Sequence, residues 1–195
     1  VQGQRFSKGS AGKGGSMTLA DLEAYQPAVR KTIETRYRGW TVKSMAPPSS
    51  GGLTMFQVLG MLERFPLGDK QAGYGFGSSK TLNVMADALR IAYADRRDWM
   101  GDADFVTVPT RGLTHATYLT ERGKPIVAGT RLATDPNSGD PRPYDSDAQA
   151  SAQLGVKLAN PDIEHGTAHL VVADQWGNIV LSLIHISEPT RLRRI

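Results

Sequence analysis

At 195 residues, with 39% hydrophobic and 22% charged residues, the chain has the composition of a folded globular domain, which excludes disorder along its whole length. Its net charge of +4 is no nucleic-acid footprint, because Arg191, Arg193 and Arg194 against Glu188 supply half of it and no basic stripe interleaved with aromatics occurs elsewhere. The count of 0 cysteines excludes disulfides, thiolate metal sites and a cysteine nucleophile.

No apolar run approaches the length of a spanning helix, and no leader pattern opens at Val1. The start in a polar run without an initiating Met points to a missing upstream part. Gly3 to Ser16 is rich in Gly, Ser and Lys. Its Gly12-Lys13 pair lacks the remaining residues of a phosphate loop, with Ser7 where the first glycine belongs and Gly14 where a hydroxyl belongs, so the stretch reads as a solvated connector.

Thr18 is placed to cap a helix with Asp21 in its first turn; Leu19, Leu22 and Tyr25 share a face, and Pro27 ends the element. Val29 to Arg38 and Trp40 to Ser44 alternate on either side of Gly39 and predict a β-hairpin. Pro47-Pro48 makes Ala46 to Gly52 an irregular turn, with Gly51-Gly52 permitting close backbone approach. Met55, Phe56, Leu59 and Leu62 mark the core face of a helix. A second helix, capped by Ser79, has Leu82, Met85, Ala86, Leu89 and Tyr93 as its core stripe.

The charges of Asp95 to Asp104 lack the ligand spacing of a calcium loop and read as solvated or ion-paired surface. Ala128 to Ser151, with Pro136, Pro141 and Pro143 and no apolar period, reads as a flexible segment. His169 to Ala173 and Asn178 to Val180 predict two strands joined across Asp174-Gln175-Trp176-Gly177.

The sharpest chemical signal is Gly166-Thr167, a hydroxyl residue opening an apolar strand behind a glycine. An N-terminal nucleophile needs only a side-chain hydroxyl and its own freed α-amine, whose ordinary pKa of about 7.7 to 8.0 suits it as a base near neutral pH. Gly166 permits a strained turn that leaves its carbonyl open to the Thr167 hydroxyl, for an N-to-O acyl shift and then ester hydrolysis. His165 and His169 stand four apart, but Gly166 and the valine-rich strand argue against a shared helical face, so no metal is expected. His115 has no sequence partner and reads as a surface or satisfied polar residue. There is no Gly-x-Ser-x-Gly elbow for a serine triad.

Several stretches together resemble the γ-glutamyltranspeptidases: Gly14-Gly15-Ser16-Met17-Thr18, Tyr37-Arg38-Gly39-Trp40, Pro47-Pro48-Ser49-Ser50-Gly51-Gly52, Tyr93-Ala94-Asp95-Arg96, Gly101-Asp102-Ala103-Asp104-Phe105-Val106 and the Gly166-Thr167 junction. The resemblance implies an α+β chain forming an incomplete αββα sandwich of the N-terminal nucleophile hydrolases. It implies the C-terminal part of a large subunit over 1–166 and the start of a small subunit at 167–180, paired as a heterodimer once the zymogen cuts itself. It also implies a γ-glutamyl transferase and glutathione hydrolase, with Thr167 as nucleophile and, through its α-amine, base. γ-Glutamyl compounds such as glutathione would be donors, and water, amino acids or peptides acceptors, with no metal or organic cofactor. A periplasmic, secreted or cell-surface location follows from the resemblance alone.

The resemblance stops at Val180. Leu181-Ser182-Leu183-Ile184-His185-Ile186-Ser187-Glu188-Pro189-Thr190-Arg191 looks like translated sequencing adapter, so 181–195 is expected to be a non-native tail, the alternative being a real strand with a basic end. On that reading the chain is a fragment, and Thr167 without the rest of its site is expected to be nearly inert. Two other readings stand beside the transferase: an acylase or amidase of the same fold with a different acyl group, and a non-catalytic truncated relative.

Overall fold

The computed structural model describes residues 18–145 and 169–183, which belong to two units, Val1–Gly155 and Val156–Ile195. In the first unit Thr18 caps helix α1 (Leu19–Ala24): its hydroxyl accepts from the Asp21 amide at 3.2 Å, and the Asp21 carboxylate accepts from the Thr18 amide at 2.7 Å. The Thr18 hydroxyl, donating to the carboxylate, is the main reason Asp21 titrates below the ordinary aspartate range. Leu19, Leu22 and Tyr25 are each more than half exposed, so this helix is held by its cap and buries nothing.

Strands β1 (Ile33–Tyr37) and β2 (Trp40–Ser44) form the expected antiparallel hairpin, with Ile33 opposite Ser44 and Tyr37 opposite Trp40. Its two turn residues, Arg38 and Gly39, have φ of 48° and 85°, the doubly positive turn whose twist matches that of the strands. The Arg38 guanidinium donates to the Phe65 and Leu67 carbonyls at 2.6 and 2.8 Å, which pins the hairpin tip beside the end of the next helix. The first strand begins at Ile33 rather than Val29. The partner strand ends at Ser44, and Pro47 and Pro48, which would fall opposite Arg30 and Val29, cannot continue the ladder.

Helix α2 (Gly51–Leu62) starts inside the predicted turn. A Cβ on Gly52 would lie 2.7 Å from the Met45 carbonyl and from Ser44 Oγ, so the close approach expected of this glycine is present. The buried face carries Leu53, Phe56, Met61 and Leu62 together with the polar Thr54 and Gln57. Met55 is 39% exposed and Leu59 is half-buried, so the core face is rotated from the one the apolar pattern marks.

Helix α3 (Ser79–Trp99) is capped by Ser78, one residue before the expected cap, whose hydroxyl accepts from the Thr81 amide. Its orientation reverses the sequence expectation. Leu82, Met85, Leu89 and Tyr93 are 58%, 39%, 42% and 50% exposed, whereas Val84, Asp87, Ala88, Ile91, Ala92, Asp95 and Trp99 are buried. Small residues allow α2 to approach closely on that side, and the two aspartates find donors there. The bulkier stripe is therefore the outer one.

Ser50 meets Arg96 at one end of the α2–α3 pair, and Met61 and Leu62 join Val84 and Ala88 in one cluster at the other, so the helices run in opposite directions. Phe65, Tyr74 and Ile126 complete that cluster. A second cluster gathers Leu53 and Trp99 with Leu113 of α4 (Thr110–Leu113) and with Tyr118 and Leu119 of α5 (Ala116–Gly123).

Residues 128–145 are not a free segment. They form a strap fixed by hydrogen bonds to α3 and α5, ending in a 3-10 turn at Arg142–Tyr144. Residues 146–151 of the expected flexible stretch lie outside the described residues.

In the second unit, β3 (His169–Ala173) and β4 (Ile179–Leu183) pair antiparallel, with His169 opposite Leu183 and Ala173 opposite Ile179. Asp174 closes the turn by accepting from the Trp176 and Asn178 amides, both at 2.9 Å. The Asn178 side chain, donating to the same carboxylate, leads the causes that hold Asp174 below the usual aspartate range. The second strand runs through Leu181, Ser182 and Leu183, past its expected end at Val180, because these residues find backbone partners opposite Val171, Leu170 and His169.

The orientation of α3 is testable by truncation. Ile91→Ala is expected to lower unfolding free energy by about 2–5 kcal/mol. Leu89→Ala, on the outer stripe, is expected to change it by less than about 1 kcal/mol. Urea denaturation of the two variants checks both values, and a larger loss from Leu89→Ala would restore the original assignment of the faces.

Candidate functional site

Five side chains along α3 organise the strap. Asn83 accepts from the Gly129 amide at 2.6 Å, and Asp87 accepts from the Leu132 amide at 3.1 Å. Arg90 donates to the Leu132 and Thr134 carbonyls and to Asp135. Asp95 accepts from the Gly139 amide at 2.9 Å, and the Trp99 indole donates to the Gly139 carbonyl at 2.7 Å. The strap therefore advances in the same direction as the helix. Asp135 holds the Arg90 guanidinium above its ordinary range, with Asp87 as a second cause, and is itself held low by it.

Asp95 is the hub. Fully buried, its carboxylate accepts from Arg122 Nη2 at 2.7 Å, the Tyr118 hydroxyl at 2.8 Å, Gln57 Nε2 at 3.0 Å and Arg122 Nε at 3.3 Å, besides Gly139. A buried carboxylate is tolerated when it is paired and its lone pairs are met, and these donors meet both conditions. Burial first, and the Asp95 charge second, push the Tyr118 phenol far above the ordinary tyrosine range.

Farther along the strap, Asp145 is 4% exposed and accepts from the Arg111 and Gly112 amides at the start of α4, each at 3.0 Å. The peptide is packed so closely there that a Cβ on Gly112 would collide with the Pro141 carbonyl.

Two of the quoted sequence motifs meet where the start of α2 lies beside the last turn of α3. Arg96 Nε donates to Ser50 Oγ at 3.0 Å, joining the Tyr-Ala-Asp-Arg run to the Pro-Pro-Ser-Ser-Gly-Gly run. The charge cluster between Asp95 and Asp104 thus splits. Asp95 is an interior anchor, contrary to its reading as surface, while Asp104 is the exposed partner of Arg30 at 2.5 Å. That contact leads the causes lowering the Asp104 carboxyl and raising Arg30. His115 caps α5 through Nδ1, which accepts from the Thr117 amide at 3.2 Å, and its ring lies 5.3 Å from that of Tyr144.

Among the described residues no group of three or more His, Asp or Glu side chains is arranged to hold a metal. Gly166 and Thr167, the predicted cleavage residues, and His165 lie outside the described residues. The buried roles of Asp87, Asp95 and Asp145 went unrecognised in the sequence. Their one signal was the placement of Asp87 and Asp95 among Val84, Ala88, Ile91 and Ala92 at helical spacing.

The match to known proteins runs across both units. A family model described as Gamma-glutamyltranspeptidase matches residues 2–186. The chain belongs to the γ-glutamyltranspeptidase family. It is 35% identical over 167 residues to the glutathione hydrolase proenzyme of Bacillus subtilis (strain 168), a match covering 86% of this chain and 27% of that protein. It is 37% identical over 178 residues to the Acylase ACY 1 proenzyme of Pseudomonas sp. (strain SE83), covering 91% of this chain and 27% of the relative. The crystal structure of Helicobacter pylori gamma-glutamyltranspeptidase superposes with a TM-score of 0.56 at 40% identity, over 62% of this chain and 33% of that one. The family chain described here is α+β, with the fold of an N-terminal nucleophile hydrolase, and spans about a quarter of the length of the curated relatives it matches.

Removing the hub in this family member should be costly. Asp95→Ala leaves Arg122, Tyr118, Gln57 and the Gly139 amide without their acceptor and is expected to lower stability by roughly 3–5 kcal/mol in urea denaturation. Tyr118 gives a pH signature. Its folded pKa is raised, so its contribution is complete below about pH 10, where an unfolded tyrosine ionises, and is lost as pH rises further. Unfolding free energy measured across alkaline pH should fall above that point, and Tyr118→Phe should flatten the fall. An unchanged slope would contradict the assignment.

Proposed function

We propose that the longer protein to which this chain belongs is a self-cleaving γ-glutamyl transferase and glutathione hydrolase with Thr167 as its nucleophile, and that the 195-residue chain alone is inactive. The observation that carries this reading is a family match that runs through Gly166-Thr167 and on to residue 186, with glutathione hydrolase proenzymes among the relatives. In processing, Thr167 Oγ attacks the Gly166 carbonyl carbon. The Gly166–Thr167 C–N bond breaks as the ester forms, and the nitrogen takes a proton to become the α-amine. Water then hydrolyses the ester, leaving a Gly166 carboxylate on the large subunit and a free Thr167 at the start of the small one.

In turnover the freed α-amine accepts the Thr167 hydroxyl proton as the oxygen attacks the γ-glutamyl amide carbon. The amide C–N bond breaks, the leaving amine takes the proton, and a γ-glutamyl ester remains on Thr167. Water attacking that ester releases glutamate; the amine of an amino acid or peptide attacking it gives a new γ-glutamyl amide. No step calls on a metal or an organic cofactor. The proposal includes the two-subunit form after cleavage, the boundaries at 166 and 180, and a periplasmic, secreted or cell-surface location. The 181–195 stretch is proposed as a non-native tail whose first residues, inside the family match to residue 186, extend strand β4 as far as Leu183.

Intact mass of the purified full-length protein tests the nucleophile. Fragments separated between Gly166 and Thr167 are expected, together with a single unprocessed species for Thr167→Ala. Cutting that persists in Thr167→Ala would assign the cleavage to another protease. The mature protein is expected to release glutamate from glutathione faster than it hydrolyses a glutaryl amide. The reverse preference would move it to the acylase branch represented by the Pseudomonas relatives.

A further inference from the structure

Proline follows aspartate twice in the strap, at Asp135-Pro136 and Asp140-Pro141. Such a bond is open to attack from its own side chain. The proline nitrogen has no hydrogen and cannot close a ring on the aspartate carboxyl, which leaves the carboxyl oxygen attacking the aspartate's own carbonyl carbon. In that step the new C–O bond forms and the C–N bond to proline breaks. The proline nitrogen takes the carboxyl proton, giving a cyclic anhydride and a free secondary amine, and water then opens the anhydride to a C-terminal aspartic acid. The reacting species is the carboxylic acid, which supplies both the nucleophile and the proton.

The two bonds differ in how their carboxylates are held. Asp140 Oδ1 accepts from Arg142 Nε at 2.8 Å and from the Arg142 amide at 3.0 Å, and Oδ2 accepts from Arg142 Nη2 at 2.7 Å, so residue 142 occupies both oxygens. The guanidinium lies 5.3 Å from the centre of the Trp99 ring, and its hydrogen bonds are the first cause holding the Asp140 carboxyl below the ordinary aspartate range. The backbone on either side is fixed as well: Gly139 is held between Asp95 and Trp99, and Pro141 is fully buried. Asp135 has one such bond, from Arg90 Nη2 to Oδ1 at 2.7 Å, and its side chain is 92% exposed.

We propose that Asp140–Pro141 is a self-cleavable bond separate from Gly166–Thr167, and that Arg142 is the latch that keeps it closed. The latch acts twice, by occupying the nucleophilic oxygens and by keeping the carboxyl ionised so that it has no proton to pass to the proline nitrogen. A cut here falls between the Gly139 and Asp145 attachments of the strap and parts the chain into 1–140 and 141–195. These masses differ from those of a cut at Thr167, so the two readings succeed or fail separately.

The test is intact mass over time for the 195-residue chain at about pH 5, where roughly a tenth of an unrestrained aspartate is in the acid form. Arg142→Gln is expected to release the 1–140 and 141–195 pieces on the order of 10-fold faster than wild type, inside the roughly 100-fold that misplacement of reacting groups can cost. Asp140→Ala in the same background is expected to stay whole at this bond. Asp135–Pro136 is the internal control and is expected to keep its wild-type rate, because Arg90 is untouched. An unchanged rate at Asp140–Pro141, or cutting there that persists in Asp140→Ala/Arg142→Gln, overturns the proposal. Equal acceleration at both Asp-Pro bonds also overturns it, by assigning the effect to a loosened fold. Where Arg142→Gln does not fold, the wild type decides: unfolding it in urea is expected to raise the ratio of cutting at Asp140–Pro141 to cutting at Asp135–Pro136, and an unchanged ratio removes the latch.

Discussion

A carboxylate placed in the interior must be met by donors, and in this chain that requirement draws four pieces of the first unit to one point. Asp95 is supplied by Gln57 from α2, by Tyr118 and Arg122 from α5 and by the Gly139 amide from the strap, while its own helix forms the centre of the unit. Hydrophobic contact brings the helices together without choosing a rotation. The buried charge chooses it, since only one rotation of α3 presents Asp95 to all of these donors and leaves none of them stranded. The outward position of Leu82, Met85, Leu89 and Tyr93 follows from that choice.

Features set by a few adjacent residues were readable in the sequence. The Thr18–Asp21 cap, the hairpin around Gly39 and the close approach at Gly52 each depend on local chemistry, and each is present. The face of α3 was not readable because two stripes compete. The stripe with the larger apolar side chains looks like the core, but Ala88, Ala92 and the two aspartates allow α2 and the strap to approach. Gln57 on α2, which the apolar pattern does not mark, is likewise buried, and its place inside follows only once its partner, Asp95, is known.

The strap was hidden for a related reason. Composition describes 128–145 as polar and rich in proline, which is also the composition of a free loop. What orders it is a set of bonds spanning forty or more positions, from Asn83, Asp87 and Asp95 to Gly129, Leu132 and Gly139. No periodicity records such pairings. By contrast, the proposed Gly166-Thr167 site is read from the sequence alone, because an N-terminal nucleophile would carry its own base and two adjacent residues would contain the minimal chemistry. Family membership then rests on the whole matched span, in which the motif residues Ser50 and Arg96 are brought into contact.

The buried Asp95 carboxylate as the organiser of the first unit is tested most directly by hydrogen exchange at the Gly139 amide. The account predicts that this amide, in a proline-flanked strap with no strand or helix around it, is protected as strongly as the α3 amides of Ile91 and Ala92. Exchange at the rate of the solvent-exposed α1 amides would contradict it, because the bond from Gly139 to Asp95 would then be open too often to hold the strap or to fix the rotation of the helix.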